Sequence, residues 1–553
     1  MRSRLAPKVC RLLIAATCCT ASSFAQQTAT SPTPPAPISV APQVNADDLR
    51  AQPVAENWTS YNGDYSGRRY SSLKQINASN VAQLNAAWVF HPGNSQNLEV
   101  TPVVIRGLMY ITSSNDVFSL DARTGRQLWH YHRPVSAGLL DDAAAHKNRG
   151  VAVWGNSVFV ETDDAHLLSL DARSGGLLWD VQYADKAKHY GATSAPLVVK
   201  DSVVVGTSGG DSGVRGFLAA FDAATGKKKW QFWTIPAPGE FGSSSWPGDS
   251  YLHGGGTTWM PGTYDPELNT LYWTTSNAAP DFFGDSRPGD DLYTACVVAI
   301  DPDSGKLKWY FQFTPHDLWD YDATETPVLL DSQENGKPRH LLVQADRNGF
   351  FYVLDRSDGK FLRATPFVEK LTWATGVDPA GRPILSGKIP TAEGTNICPG
   401  IDGATNWFSP SYSPDTGLFY VMALESCSVF LAKPKEFVKG ETFYNTGTTN
   451  PPGDRAQKIL LALSLADGKR VWSYPQVGRG NSWGGTMTTA GGIVFFGDDS
   501  ESLEAVDAKT GKALWHFYTG QVMRASPMTY AVNGIQYIAI AAGSDVFSFS
   551  LSQ

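Results

Sequence analysis

A short turn followed by a strand that ends in tryptophan recurs along this chain and constrains its fold more than any other feature. In the copy AVDAKTGKALW, residues 505–515, Asp507 and Thr510 can hydrogen-bond the amides of a tight turn, and Gly511 accepts a positive φ. Further copies end at Trp129, Trp179, Trp230, Trp309 and Trp472, and a shorter one stops at Leu362. The first three tryptophans are spaced by 50 and 51 residues. Such a period, with several short strands per unit, is typical of a β-propeller.

The spacing of the repeats also predicts the number of blades. Seven copies of the turn are present, and the 163 residues between Trp309 and Trp472 leave room for three blades. This count requires that Leu362 closes one blade and that residues 412–430 belong to another. The sequence therefore predicts an all-β, eight-bladed β-propeller with tryptophan-docking repeats and little helix, because β-branched and aromatic residues dominate between the turns.

The N-terminal residues read as a secretion signal rather than as part of the propeller. Residues 1–25 combine four basic residues, an apolar stretch and the small-residue pattern Ser23-Phe24-Ala25, which is typical of a cleaved signal peptide. The 14 uncharged residues from Leu12 to Ala25 are too few to span a bilayer, so no transmembrane segment is predicted. Residues 26–50 are rich in proline and alanine and are predicted to be a flexible lead-in to a propeller domain at 51–553. The predicted location is the periplasm.

Charge and cysteine content narrow the possible partners. Cleavage of the signal removes four basic residues and no acidic one, so the formal net charge changes from -8 to -12, which predicts no nucleic-acid partner.

Cys296, Cys398 and Cys427 remain, and an oxidising compartment favours a Cys398–Cys427 disulfide. No CxxCH motif is present, which excludes covalent c-type haem. His130 and His132 can share one strand face, but no third ligand accompanies them in the sequence, so no zinc site is predicted there.

Several loops between the repeats carry polar and aromatic residues that turns do not need. Loops at one end of a propeller meet around its central channel, where one ligand can contact many blades. The oxygen donors Asp211, Asn277, Asp320 and Asp322 suit a hard cation such as Ca²⁺. The indoles of Trp259 and Trp483 and the guanidiniums of Arg149 and Arg347 suit a flat, polyanionic ligand that also chelates the metal.

Five stretches resemble the pyrroloquinoline quinone (PQQ) dependent alcohol dehydrogenases, a family of secreted eight-bladed propellers. They are NWTSYNGDYSGRRYSSLKQIN, GGGTTWMPGTYDP, TPHDLWDYD, ADRNGFFYVLDR and SWGGTM, in the family's order, and the resemblance extends from about Trp58 to Phe549. It implies a secreted quinoprotein that oxidises an alcohol or polyol by hydride transfer to metal-bound PQQ. An external cytochrome or quinone would then accept the electrons.

The resemblance also implies roles for individual residues. Trp259 would lie beneath the quinone plane, and Asp211, Asn277 and Asp320 would hold the metal, with Asp322 as an additional carboxylate. Asp320 would also be the catalytic base, and Arg347 would donate to the developing oxyanion. The remaining residues predicted to contact PQQ are Glu99, Arg149, Thr162, Gly209, Gly210, Thr257, Asn406, Trp407, Trp483 and Gly484.

Two positions depart from the family pattern. Many of its alcohol dehydrogenases carry a vicinal Cys-Cys disulfide over the second face of the quinone, where this chain has Ala143-Ala144. The family's metal-binding glutamate is replaced by Asp211. The metal is predicted to be Ca²⁺, with a lanthanide as the alternative because Asp320 and Asp322 are two residues apart. A cofactor-free propeller that binds or assembles other proteins is the alternative function, and the alanine pair is the feature that favours it. A glycan-cleaving propeller would need a further carboxylate pair.

Overall fold

The computed structural model describes residues 41–93, 97–140, 144, 146–334, 336–444, 447–451, 456–478 and 482–552. The predicted signal peptide, residues 1–25, and residues 26–40 of the predicted lead-in lie outside these ranges.

The described strands form eight blades, the number that the sequence predicts, each with four antiparallel strands; the sheet that contains Thr486–Thr489 has a fifth, parallel strand, Tyr70–Ser71. Blades are numbered here along the chain. Blade 1 contains Val103–Ile105, Leu108–Ser113, Asp116–Asp121 and Gln127–Tyr131; blade 2 contains Ala152–Trp154, Ser157–Glu161, His166–Asp171 and Leu177–Gln182. Blade 3 contains Leu197–Val199, Ser202–Val205, Phe217–Asp222 and Lys228–Trp233; blade 4 contains Thr263–Asp265, Thr270–Thr274, Cys296–Ile300 and Leu307–Gln312. Blade 5 contains Val328–Glu334, Lys337–Ala345, Phe350–Asp355 and Phe361–Pro366; blade 6 contains Ser411–Ser413, Leu418–Glu425, Gln457–Ser464 and Arg470–Pro475. Blade 7 contains Thr486–Thr489, Ile493–Gly497, Ser502–Asp507 and Ala513–Tyr518, and blade 8 contains Met528–Val532, Ile535–Ala542, Asp545–Leu551 and Leu84–Phe90.

The ring closes through an N-terminal strand that no repeat motif marks. Leu84–Phe90 pairs antiparallel with Asp545–Leu551, so blade 8 joins both ends of the described chain. Its Trp88 donates from Nε1 to the carbonyl of Ala122 in blade 1, at 3.1 Å. This strand is the outermost of the four in blade 8.

The prediction that residues 412–430 form a separate blade is wrong. Leu418–Glu425 pairs directly with Gln457–Ser464, so these residues are the inner part of the same blade 6 that ends at Trp472. An insertion between the two strands caused the error. It contributes Ser428–Phe430 and Thr448–Thr449 to a small sheet with Thr395–Ile397.

The tryptophans of the repeats dock on the turn of the following blade. Trp129 of blade 1 donates from Nε1 to the carbonyl of Ala172 in blade 2, at 3.0 Å. Gly175 in that turn has φ +73°, and a Cβ there would lie 2.6 Å from Cε3 of Trp129. The glycine therefore serves both the turn and the close approach of the indole. Trp230 and Trp472 make the same bond to Pro302 and Ala508.

The last part of the predicted lead-in is folded. Residues Ala46–Arg50 form a helix whose capping box uses the side chains of Asn45 and Asp48. Leu49 is buried, and the amide of Val44 donates to the carbonyl of Gly155 in blade 2. The folded part of the chain thus includes residues from within 26–50. The remaining short elements are Tyr70–Ser71, the two-stranded sheet Ala374–Val377 with Pro383–Leu385, and the 3₁₀ turns Val81–Gln83, Lys186–Lys188, Gly210–Ser212, Ser243–Ser245 and Ser250–His253.

The cysteines are arranged as the sequence predicts. Cys398 and Cys427 form a disulfide, and Cys296 is a buried free thiol. Burial raises the pKa of the Cys296 thiol well above its usual value, which disfavours the reactive thiolate. None of the helices in the described ranges has both the length and the apolar character that a bilayer crossing requires.

Candidate active site

A cavity of about 300 Å³ gathers most of the residues that the sequence singles out. The loops between and within the blades contribute its walls, so residues far apart in the chain meet there. Its lining includes the following predicted residues: Arg149, Gly209, Gly210, Asp211, Thr257, Trp259, Asn277, Asp320, Asp322, Arg347, Asn406, Trp407 and Trp483. Every residue predicted to bind the metal is in this set.

Asp322 organises one wall of the cavity. Its Oδ1 accepts from the amide of Asn277 at 2.6 Å, and its Oδ2 accepts from Nε1 of Trp259 at 3.0 Å. The Asp322 carboxylate therefore holds in place both the Trp259 indole and the loop that carries Asn277. The Asn277 side-chain nitrogen donates to Asp281 Oδ1, which leaves the side-chain oxygen Oδ1 of Asn277 available as a ligand.

Asp320 lies close to other negative charges. Burial raises the pKa of Asp320 well above its usual value, Arg347 opposes this shift, and the neighbouring Asp322, Asp281 and Asp211 add to it. The pKa of Asp322 is also raised, first by burial. Carboxylates crowded in this way are stabilised in their ionised form by a cation.

Arg347 is the positively charged neighbour of this cluster. Its Nη1 donates to the Asp320 carbonyl at 2.6 Å and lies 3.5 Å from Asp320 Oδ1. The same atom is 3.7 Å from Asp322 Oδ2. Asp320 itself has φ +61°, the left-handed region that a residue with a side chain rarely adopts. The bond from Arg347 helps to hold this backbone conformation and so aims the carboxylate.

Arg149 forms a second cationic wall above the indoles. Its guanidinium carbon lies 5.1 Å from the Trp259 ring and 4.7 Å from the Trp407 ring. Its Nη1 donates to the carbonyl of Thr193 at 3.0 Å, and its Nη2 pairs with Glu99 Oε2 at 2.5 Å. Glu99 is thus placed behind Arg149 and is not part of the cavity lining.

A pair of indoles completes the aromatic surface. Trp407 and Trp483 are nearly parallel, at 16°, with ring centroids 6.3 Å apart. The ammonium of Lys458 lies 5.8 Å from the Trp483 ring centroid. Together with Trp259, these rings offer flat apolar surfaces between charged groups.

Two other predicted residues do not line the cavity. The Thr162 hydroxyl donates to Asp164 Oδ1 at 2.7 Å instead. Gly484 serves close packing, because a Cβ there would lie 2.9 Å from Cα of Gly497. Ala144 lines the cavity, whereas Ala143, the other member of the predicted alanine pair, lies outside the described residues.

Sequence reasoning missed further contributors to the site. The additional lining residues are Lys147, Thr193, Ser208 and Ser276. Most of them adjoin predicted residues in the same loops, which is the signal that could have identified them. Tyr444 was also missed: its amide donates to the Asp211 carbonyl at 2.8 Å. Burial and the charges of Asp320, Asp281 and Asp211 raise the pKa of its hydroxyl. No sequence pattern connects Tyr444 to Asp211, because they are separated by 233 residues.

Comparison with known proteins agrees with this fold. The family model "Glucose/ethanol/alcohol dehydrogenase, beta-propeller domain" of the PQQ enzymes matches residues 58–379 and 469–538. The quinohemoprotein alcohol dehydrogenase ADH IIB of Pseudomonas putida is 41% identical over 508 residues, which cover 88% of this chain and 73% of that protein. The lanthanide-dependent methanol dehydrogenase of Methylorubrum extorquens is 34% identical over 87% of this chain and 86% of that protein. Among solved structures, the quinohemoprotein alcohol dehydrogenase of Comamonas testosteroni superposes with a TM-score of 0.86 at 36% identity, covering 93% of this chain and 83% of that one.

An eight-bladed propeller with acidic, aromatic and guanidinium groups around one central cavity defines the class of a metal-assisted, cofactor-binding oxidoreductase. The chain belongs to the family of PQQ-dependent alcohol dehydrogenases, as the resemblance of its motifs predicts. The alternative of a cofactor-free scaffold finds no support in these relatives.

The residues present fit a metal ion and an anionic planar cofactor. Arg149 Nε and Arg347 Nε are buried, and neither has a hydrogen-bond partner among the described residues. Buried donors without a partner are costly, so two of them on cavity-lining side chains indicate a ligand with acceptor oxygens. The carboxylate and amide oxygens of the opposite wall suit a hard cation.

Proposed function

We propose that this protein is a periplasmic alcohol dehydrogenase that oxidises an alcohol or polyol in the central cavity and passes the electrons to an external acceptor. The observation that carries the proposal is the meeting of Asp211, Asn277, Asp320 and Arg347 beside the Trp259 indole in one cavity. The predicted signal peptide supports the location. The proposed acceptor is a cytochrome or a quinone, as the resemblance of the sequence implies.

The cavity residues divide into those that hold the cofactor and those that hold the metal. Bound PQQ with its metal ion would supply the hydride acceptor for the alcohol carbon. The indoles of Trp259, Trp407 and Trp483 would contact the cofactor ring. Arg149 would neutralise part of the negative charge, while Thr257, Asn406 and the backbone of Gly209 and Gly210 would contribute polar contacts. Asp211, the side-chain oxygen of Asn277 and Asp320 would hold the metal ion.

Asp320 is the proposed base that receives the proton of the substrate hydroxyl at a carboxylate oxygen. A base must be ionised and aimed at the proton it takes. Arg347 contributes to both requirements, since it opposes the rise in the pKa of Asp320 that burial causes and holds its backbone through the 2.6 Å bond, and a bound metal ion would favour the charged form further. Burial of the site excludes bulk water and strengthens these interactions.

The charge of the cluster bears on the identity of the metal. Ca²⁺ is the prediction from the sequence, with a lanthanide as the alternative. Asp211, Asp320 and Asp322 place three carboxylates at the cavity, with Arg347 beside Asp320 and Asp322 and with Arg149 and Lys147 elsewhere in the lining. A trivalent ion offsets more of this negative charge than Ca²⁺ does, and one relative is named for its lanthanide dependence. These observations favour the lanthanide.

Titration with PQQ tests the function. The full-length protein, freed of metal by chelation, should bind one PQQ at micromolar or tighter affinity only after La³⁺ or Ca²⁺ is added, as measured by calorimetry and absorbance. Asp211→Asn should weaken this metal-dependent binding, whereas Asp222→Asn, in a blade 3 turn, should leave it unchanged. Absence of PQQ binding under every metal condition would contradict the proposal.

Reconstitution with each metal tests whether a lanthanide or Ca²⁺ is the native ion. Asp322→Asn removes the charge but retains an acceptor for Trp259, whereas Asp322→Ala removes both. If a lanthanide is the native metal, La³⁺ should give the higher alcohol-oxidising activity in the wild type and lose this advantage in both variants. Equal Ca²⁺-supported activity in the wild type and Asp322→Asn, with no La³⁺ advantage, would mean that Asp322 is not a ligand.

A further inference from the structure

A cluster of two histidines and one carboxylate lies on the outer strands of blade 1. His130 belongs to Gln127–Tyr131, His132 follows this strand directly, and Asp116 begins the neighbouring strand Asp116–Asp121. The pairing of Phe118 with His130 and of Val117 with Tyr131 places His132 beside Asp116. The third ligand that the sequence did not supply is therefore contributed by the adjacent strand.

The ligand atoms of these side chains converge. His132 Nδ1 lies 2.6 Å from Asp116 Oδ1, and His130 Nε2 lies 3.4 Å from the same oxygen. The three ligand atoms all lie within 4.8 Å of one another. The spacing suits a metal with bonds of about 2.0–2.2 Å to histidine nitrogen and carboxylate oxygen, once the direct His132–Asp116 contact opens slightly.

We propose that Asp116, His130 and His132 form a binding site for a divalent transition-metal ion of the Zn²⁺ type. Two imidazole nitrogens and one carboxylate oxygen are a common zinc ligand set, and solvent completes the tetrahedron. Imidazole ligands favour Zn²⁺, Cu²⁺ and Ni²⁺ over the hard ions Ca²⁺ and Mg²⁺. The site is thus chemically distinct from the oxygen-lined cavity.

The surroundings hold part of the cluster in place before a metal binds. The His130 ring stacks on Phe118, with centroids 4.1 Å apart and planes inclined by 8°. This contact restrains the ring while Nε2 still faces Asp116. The side chain of His132 is 65% exposed, so an ion can enter from solvent.

Blade 2 offers an internal control for this arrangement. In blade 2 the position of Asp116 is taken by His166, which lies opposite Gln182. The position of His130 is taken by Asp180, which lies opposite Leu168. His166 Nδ1 contacts Asp180 Oδ1 at 2.6 Å, but the position that corresponds to His132 is occupied by Gln182. Arg133 Nη1 pairs with Asp180 at 2.8 Å and already provides a cation. Blade 2 therefore has a comparable histidine–aspartate pair without a second imidazole.

The position of the cluster indicates a structural role. His132 is the residue from which the chain leaves blade 1 towards Lys147 and Arg149, both of which line the cavity. A metal that joins His132 to Asp116 ties this departure point to the blade. Because it binds the folded protein, it also raises thermal stability. We expect alcohol-oxidising activity to remain unchanged by substitutions at the cluster.

Zn²⁺ titration of the full-length holoprotein tests the proposal. Excess Ca²⁺ is present so that oxygen-rich sites are occupied, and a chromophoric chelator reports free Zn²⁺. The wild type should bind one more tight equivalent than His130→Gln/His132→Gln. Loss of a group that merely orients a metal ligand costs about 10–100-fold in affinity. Asp116→Asn and His132→Gln should therefore each weaken binding by at least about tenfold.

The matched control is His166→Gln in blade 2, which should bind Zn²⁺ as the wild type does. As a second readout, Zn²⁺ should raise the melting temperature of the wild type and of His166→Gln but not that of the double variant. Co²⁺ should give visible absorption bands of a four-coordinate site in the first two proteins only. If the double variant binds the same number of equivalents and gains the same stability as the wild type, the proposal is wrong.

Discussion

The propeller uses aspartate, glycine and tryptophan in two regions for opposite purposes. In the outer turns, Asp301 accepts from the amides of Asp303 and Ser304, both at 2.9 Å. In the cavity, Asp320 is crowded by other carboxylates with Arg347 beside them. Partial burial by itself would raise the pKa of Asp301, but the hydrogen bonds of the turn outweigh it, so the pKa is lowered. Burial raises the pKa of Asp320. The ionised Asp301 carboxylate therefore stabilises the fold. The Asp320 carboxylate lies at a position where the folded protein by itself disfavours the ionised form.

The tryptophans differ in the same way. The Trp129 indole bonds to the backbone of the next blade, while the Trp259 indole bonds to the side chain of Asp322. A backbone carbonyl is present at every repeat, but Asp322 is unique to its loop. The comparison indicates that outer positions should affect stability and cavity positions should affect chemistry. Each of the following substitutions tests that division.

Asp320→Asn is expected to have the largest effect. Loss of a general base typically costs about 10²–10⁴-fold in rate, and weaker metal binding would add to this. Dye-linked alcohol oxidation should fall by at least about a hundredfold, while the melting temperature stays the same or rises. The matched variant Asp301→Asn should retain activity and lose some stability. Turnover of Asp320→Asn above a tenth of the wild type would show that the base is elsewhere.

The sequence alone predicts the outer region well because its interactions are local and repeated. Asp507, Thr510 and Gly511 lie within one turn, and the seven copies of their pattern mark seven of the eight blades. The closing strand Leu84–Phe90 could not be predicted in this way, since its partner is the C-terminal strand Asp545–Leu551. The insertion in blade 6 likewise separated two paired strands in sequence and suggested a blade that does not exist.

The cavity is only partly predictable. Residues in conspicuous loops, such as Asp320 and Trp259, were identified correctly as cavity residues. Their partners were harder to find: Glu99 pairs with Arg149 and does not reach the cavity, and Tyr444 bonds to the Asp211 backbone from a distant insertion. The Asp116 ligand of the histidine pair depends on strand register. Such contacts follow from the tertiary fold rather than from spacing.

Gly511→Ala tests whether the repeat glycines serve packing as well as turn geometry. Gly511 has φ +70°, and a Cβ would lie 2.6 Å from Cε3 of Trp472. Gly492 has a similar φ of +76°, but a Cβ added there would have nothing within 4 Å. Backbone strain and clash together should cost Gly511→Ala about 3 kcal/mol of unfolding free energy, against about 1 kcal/mol for Gly492→Ala. Equal losses in denaturant titrations would mean that the indole contact contributes little.

Glu161→Gln tests the effect of burial on a carboxylate away from the metal ligands. Glu161 is fully buried and accepts from the Tyr183 hydroxyl at 2.8 Å; burial raises its pKa to about 8. Because the folded pKa exceeds the unfolded one, ionisation opposes folding. The stability contribution is present below the unfolded value near 4.5 and is lost as pH rises to about 8.

Glutamine cannot ionise, so Glu161→Gln should match the wild type near pH 5 and exceed its stability by about 4 kcal/mol near pH 9. Chemical denaturation at both pH values measures this difference, and other titrating groups cancel between the two proteins. A stability difference that does not change with pH would show that Glu161 is not the buried ionisable group that the structure indicates.

Trp129→Phe should have the smallest effect, and Trp179→Phe is its control. The two indoles have similar surroundings: Trp129 packs on Gly175 and is tilted by 42° against Tyr110, while Trp179 packs on Gly226 and is tilted by 37° against Phe159. They differ in one bond. Trp129 Nε1 donates to a carbonyl in the next blade, whereas the buried Trp179 Nε1 has no partner among the described residues.

Both substitutions replace an indole by a phenyl ring, but only Trp129→Phe removes a hydrogen bond to the next blade, where the Ala172 carbonyl keeps the Tyr110 hydroxyl as a donor at 3.2 Å. We therefore expect Trp129→Phe to cost about 1 kcal/mol more unfolding free energy than Trp179→Phe, while activity per folded molecule is unchanged in both. The tryptophan bond would then be a separate contribution to the seam between blades, beyond the packing of the ring. If Trp179→Phe costs as much as Trp129→Phe, ring packing alone accounts for the docking in these two seams.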